Sequence, residues 1–104
     1  MFNAPLPETK LLKTVLQPLL EDFQFWFGRT QTLLEAEQLD FIPAADQANL
    51  LERLRQTRQE VGVAQALLEA TDGQAGVETS VIVPWHQLVL ECWQLGMRFQ
   101  QQRA

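Results

Sequence analysis

The chain has 104 residues, of which 46% are hydrophobic and 20% are charged, and its formal net charge is −5. This length fits one domain, residues 1–104, and the apolar share excludes intrinsic disorder. The acidic balance argues against nucleic-acid binding, which depends on a cationic surface. Because the single cysteine, Cys92, cannot form an intramolecular disulfide, we expect a protein of the reducing cytoplasm.

We expect no targeting signal at the start of the chain. The opening MFNAPLPETK lacks the basic and apolar regions of a signal peptide. No apolar run approaches the roughly 18 residues that a membrane-spanning helix needs. The acidic net charge also argues against peripheral membrane contact. We therefore predict a protein without a transmembrane segment.

The first predicted helix covers residues 8–39, after a short extended lead over residues 1–7. Its apolar residues alternate at steps of three and four, which is typical of a heptad-like seam. The seam consists of Leu12, Leu16, Leu19, Phe23, Trp26 and Leu33, with Thr30 at its one polar position. Pro18 interrupts this pattern, and because proline has no N–H we expect either a kink there or two helices that meet there.

Two further helices follow. The connector DFIPAAD leads into a helix over residues 44–70, and the two glycines of TDGQAGVE end it. Residues 71–83 are predicted as a loop that finishes in an extended arm, because three β-branched residues precede Pro84. A third helix then covers residues 84–102. The fold is predicted to be all-α, an antiparallel bundle of two long helices and a shorter third one, with dimerisation as a way to complete it.

The polar residues do not form a recognisable reaction centre. His86 is the sole histidine, and Cys92 lies six positions later on the same predicted helix, well off its face. A zinc site needs three or four converging ligands, and DGQAG lacks the lysine and the glycine spacing of a phosphate loop. We predict no catalytic residues, no metal and no cofactor, and therefore a protein that is not an enzyme.

The stretch FQFWFG, residues 23–28, carries aromatic rings on both sides of the first helix. Phe23 and Trp26 belong to the apolar seam, but Phe25 points to the far side. One interpretation is that the third helix covers Phe25, with Trp85 or Trp93 as the lid. The other is that Phe25 anchors a second copy or a protein partner, since exposed aromatic area marks interfaces.

Three segments together resemble a family of short, uncharacterised cyanobacterial proteins that is catalogued as a domain of unknown function. These segments are LLKTVLQPLLEDFQFWF, ATDGQAGVETSVIVPWH and PWHQLVLECWQ. The resemblance implies a cyanobacterial, cytosolic, helical protein. It implies no catalytic residues, because the family has no established mechanism.

Two functions remain open from the sequence. The first is a small helical interaction or assembly module that presents a leucine-rich and aromatic face to a protein partner or to itself, as a homodimer. Its candidate interaction residues are Phe25, Trp26, Trp85, His86 and Trp93. The alternative is a helical bundle that binds a small hydrophobic ligand or pigment between its helices, next to the tryptophans and His86.

Overall fold

The computed structural model describes residues 5–74 and 76–103, with side chains described from residue 13 onward. It contains three helices, α1 (Pro5–Ala36), α2 (Ala44–Ala70) and α3 (Thr79–Arg103), and no strand within the described residues. The main packing contacts are those of α1 with α2 and of α1 with α3. The predicted all-α helical bundle is therefore confirmed, with α1 as the partner of both other helices.

Side-chain contacts fix the direction of each helix. At the two ends of α1, ion pairs join Lys13 to Asp72 and Glu35 to Arg55, both at 3.0 Å, so α2 runs antiparallel to α1. Along α3, Trp85 contacts Phe23, whereas Trp93 contacts Trp26. The later residue of α3 meets the later residue of α1, so α3 runs parallel to α1.

The buried side of α1 follows a heptad-like pattern that is displaced from the predicted seam. Phe23 and Leu16 are buried as predicted, but Trp26 and Leu33 are only partly buried. The most buried residues of α1 lie at steps of three and four: Leu16, Leu20, Phe23, Phe27, Thr30 and Leu34. The displacement arises because α1 packs against two helices. The apolar residues between those helices, such as Phe23 and Phe27, are buried, whereas Trp26 and Leu33 at the edge of the apolar side stay near the surface.

The ends of α1 differ from the prediction. The helix begins at Pro5, so the extended lead predicted over residues 1–7 is wrong from that residue onward, and residues 1–4 lie outside the described part of the chain. Both Pro5 and Pro7 fall in the first turn, where backbone N–H groups have no partner within the helix and proline is tolerated. The helix ends at Ala36 rather than at residue 39.

Pro18 does not divide α1 into two helices. The helix continues through Pro18 to its end at Ala36, which corrects the interpretation that two helices meet there. One missing backbone hydrogen bond is tolerated because Leu16 and Leu20, on either side, are buried in the core. A kink at Pro18 stays a prediction.

The connector between α1 and α2 depends on one buried side chain. Gln47, in the first turn of α2, is 5% exposed. Its Oε1 accepts a hydrogen bond from the backbone N–H of Leu39 at 2.9 Å. Its Nε2 donates to the carbonyl oxygens of Leu34 (3.0 Å) and Glu37 (2.7 Å). The Gln47 amide thus satisfies carbonyls at the end of α1 that have no partner within the helix.

The bounds of α2 coincide with the predicted range of 44–70. Its buried residues recur at intervals of seven: Gln47, Leu54, Val61 and Leu68. The partly buried Leu50, Leu51 and Ala64 also pack against the core. A strict interval of seven is the pattern of a helix that follows its neighbour along its length.

The start of α3 corrects the sequence prediction. Residues 81–83, predicted as an extended arm, are helical, because α3 begins at Thr79. The N–H of Ile82 donates to the carbonyl of Glu78 at 3.3 Å, and the Ile82 side chain packs against the core. This packing outweighs the weak local preference of β-branched residues for extended backbone. As a result α3 has 25 residues, almost as many as the 27 of α2.

Candidate interaction surface

A groove of about 810 Å³ lies between α1 and the C-terminal half of α3. Its lining is mostly apolar and comes from both helices: Trp26, Leu33, Trp93, Met97 and Phe99, with Arg29 and Arg103 also present. Gly96 leaves space in this wall, since a Cβ atom at that position would meet no atom within 4 Å. The groove therefore exists where α3 carries no side chain to fill the gap beside α1.

Three aromatic rings meet at the edge of this groove. Trp26 and Trp93 contact edge to face, with ring centroids 5.6 Å apart and an angle of 80°. Phe25 also contacts Trp26 edge to face, at 5.0 Å and 84°. Such geometry is the favoured one for aromatic pairs. We call these three residues, together with Met97, the aromatic surface.

Most of this surface is open to solvent. Phe25 is 56% exposed, Trp93 is 42% exposed and Met97 is 63% exposed. The interpretation that α3 covers Phe25 is therefore wrong. Trp93 packs against Trp26 instead, because the side chain of Phe25 points away from the seam between α1 and α3.

Two other candidate residues lie elsewhere. Trp85 is only 5% exposed, its ring lies edge-on to Phe23 at 6.0 Å, and its indole N–H donates to Glu60 at 3.3 Å. Trp85 therefore belongs to the core and offers a partner almost no surface. His86 is exposed but does not line the groove. The structure thus joins Phe25, Trp26 and Trp93 and separates the other two candidates from them.

The edge of the groove is cationic, although the chain as a whole is acidic. The guanidinium of Arg29 lies 5.8 Å from the centroid of the Trp26 ring, and that of Arg103 lies 5.1 Å from the centroid of Phe99. Arg103 also forms an ion pair with Glu37 at 3.6 Å. Within the described part of the chain, Arg29 has no carboxylate within 4 Å. The Arg29 guanidinium is therefore free to pair with a carboxylate brought by another molecule.

Cys92 forms part of the floor of the groove and is 3% exposed. Burial raises the pKa of its thiol, and a hydrogen bond from the Thr30 hydroxyl opposes this shift only in part. The thiol therefore stays protonated at neutral pH and is a poor nucleophile.

Among the residues that the structure describes, no three histidine, cysteine, aspartate or glutamate side chains are placed to hold a metal ion.

No helix in the described ranges is both long enough and apolar enough to cross a membrane.

The chain belongs to the family described as "Protein of unknown function (DUF2605)", whose model matches residues 6–101. This confirms the resemblance to a domain of unknown function, and the cyanobacterial source stays an expectation. Searches of curated proteins and of solved structures found no significant match.

Proposed function

We propose that this member of the DUF2605 family is a non-enzymatic helical interaction module that forms a homodimer through its aromatic surface. The observation that carries the proposal is the exposed ring of Phe25 beside the Trp26–Trp93 pair. Large contiguous apolar patches are rare on monomers and mark interfaces. Rigid aromatic side chains are also the residues that contribute most to binding when a partner removes them from water.

The shape of the molecule supports self-association. Its principal extents are 59 × 23 × 20 Å, so it is a rod with a large surface for its mass of 11.9 kDa. A chain of this size buries a smaller fraction of its surface than a larger domain does. A second copy on the aromatic surface would add apolar burial, which is favourable by about 25 cal/mol for each Å².

We also propose a cytoplasmic location, which the free thiol of Cys92 supports.

The proposal predicts that Phe25→Asp abolishes dimerisation. A carboxylate at the centre of an apolar interface is desolvated without a partner, so we expect the dimer dissociation constant to rise at least about 100-fold. Light scattering and sedimentation at micromolar concentrations would report a dimer for the wild type and a monomer for the variant. Circular dichroism would show that the variant is folded.

Val63→Asp is the matched control. Val63 is 60% exposed on α2, and it lies two positions from the buried Val61, on the side that faces away from α1. Val63→Asp should leave the dimer intact, because it introduces the same charge at a similarly exposed residue outside the aromatic surface. A wild type that remains monomeric at 100 μM and above, at a mass of 11.9 kDa, would contradict the proposal.

The alternative function, a binder of a small hydrophobic ligand or pigment, is favoured by the groove itself. Its volume of about 810 Å³ lies within the range of roughly 300–1,000 Å³ that is usual for ligand sites. Ligand binding predicts absorbance above the aromatic band in protein purified from its native cell, and loss of that absorbance in Gly96→Leu, which fills the groove. A colourless native preparation with no extractable ligand would contradict this alternative.

A further inference from the structure

Two opposite charges flank Phe25 along α1. Asp22 precedes Phe25 by three residues, and Arg29 follows it by four. At about 100° per residue, both side chains lie on the same side of Phe25 and within roughly 60° of it. All three residues are exposed. One face of α1 therefore presents a carboxylate, an aromatic ring and a guanidinium in sequence.

Neither charge has an ion-pair partner in the described part of the chain. Among the described residues, Asp22 and Arg29 form no ion pair, whereas Arg53 and Arg55 pair with Glu91 and Glu35. Asp22 and Arg29 cannot pair with each other, because seven residues of helix separate them by roughly 10 Å along the axis. The two charges are thus available to a second molecule at the same place as the exposed ring.

We infer that two copies pair α1 against α1 in antiparallel orientation, around a two-fold axis next to Phe25, with Asp22 of each copy against Arg29 of the other. This geometry rests on the proposed homodimer. Asp22 and Arg29 are equally far from the point between residues 25 and 26. A two-fold axis at that point brings the carboxylate of one copy beside the guanidinium of the other, and it does so twice.

The parallel orientation is disfavoured by the same charges. It would place Asp22 beside Asp22 and Arg29 beside Arg29, and like charges in contact exclude a register more strongly than exposed ion pairs stabilise one. The antiparallel arrangement also brings Phe25 of one copy toward Trp26 of the other. Val15, which is 57% exposed and lies seven residues before Asp22 on the same face, extends the apolar contact.

Disulfide trapping tests the orientation. Two proteins are prepared in a Cys92→Ser background, one with Asp22→Cys and one with Arg29→Cys, and they are oxidised separately and as an equimolar mixture. We expect the mixture to yield the mixed cross-link at least about fivefold above the cross-link of either protein with itself, because disulfides form only between closely apposed residues. Phe25→Asp added to both proteins should remove the cross-link, and Cys92→Ser alone should give none.

The outcomes separate this geometry from the proposed function. Suppose that the wild type dimerises and that Phe25→Asp dissociates it. Cross-links of each cysteine variant with itself, or no cross-link in the mixture, would then overturn the antiparallel pairing but not the interaction module. A monomeric wild type would overturn both.

Charge reversal provides a second measurement. Asp22→Arg should raise the dimer dissociation constant about tenfold at 50 mM salt and by less at 500 mM, because salt screens exposed charges. The double variant Asp22→Arg, Arg29→Asp should return to within about threefold of the wild type. An unchanged constant in the single variant, or no recovery in the double variant, would overturn the pairing.

Discussion

Replacing Phe27 by alanine is expected to lower the free energy of unfolding by roughly 3–5 kcal/mol, the range for removing a large aromatic ring from a protein core. Phe27 is 0% exposed and stacks on Phe23 with ring centroids 5.9 Å apart. The surrounding helices meet at this point, so they have little freedom to close the cavity that alanine would leave. Urea unfolding followed by circular dichroism would measure the loss.

Phe25→Ala is the matched comparison for Phe27→Ala, because it removes the same ring two positions away. Phe25 is 56% exposed, so the free energy of unfolding of the monomer should change by no more than about 0.5 kcal/mol. Both variants should be measured at concentrations below the dimer dissociation constant, where the chain is monomeric. Equal losses in the two variants would contradict the arrangement of α1 described above.

Gln47→Leu is expected to destabilise the chain by roughly 2–4 kcal/mol, because leucine has a similar volume but leaves buried backbone groups without hydrogen bonds. The groups affected are the buried N–H of Leu39, the buried carbonyl of Leu34 and the partly buried carbonyl of Glu37. Each unsatisfied buried group costs about 1–3 kcal/mol, and rearrangement or water recovers part of the sum. Urea unfolding would give the free energy and show whether its slope is unchanged.

Gln38→Leu is the control for the connector. Gln38 is exposed and donates one hydrogen bond to Gln47 Oε1 at 3.0 Å. Its loss should cost less than about 1 kcal/mol, because water replaces the donor. Equal free energies of unfolding for Gln47→Leu and Gln38→Leu would contradict the role that we assign to the hydrogen bonds of the Gln47 amide.

The fold was largely predictable because helical periodicity and turn residues are local signals. The bounds of α2 follow from Pro43 before it and from the glycines after it. The start of α3 was not predictable from local bias: residues 81–83 favour extended backbone, but Ile82 packs against the core. That contact depends on how α3 lies against the rest of the bundle, which no short stretch of sequence determines.

The candidate surface was predictable only in part. Periodicity placed Phe25 outside the apolar seam, and its exposure agrees with this. Periodicity relates a side chain to its own helix but does not say which side a neighbouring helix covers, so it could not separate the buried Trp85 from the exposed Trp93. It also missed Arg29 and Met97. The available signal was Gly96, because a residue without a side chain in a helix leaves room for a groove beside it.

The interval of seven in α2 has a consequence for the shape of the bundle. In a straight α-helix, residues seven apart drift by about 20° around the axis. Between Gln47 and Leu68, which are both buried, this drift would accumulate to roughly 60° and turn one end of the line toward water. Left-handed coiling of α2 around α1 would keep both ends covered, as in a short segment of a two-stranded coiled coil.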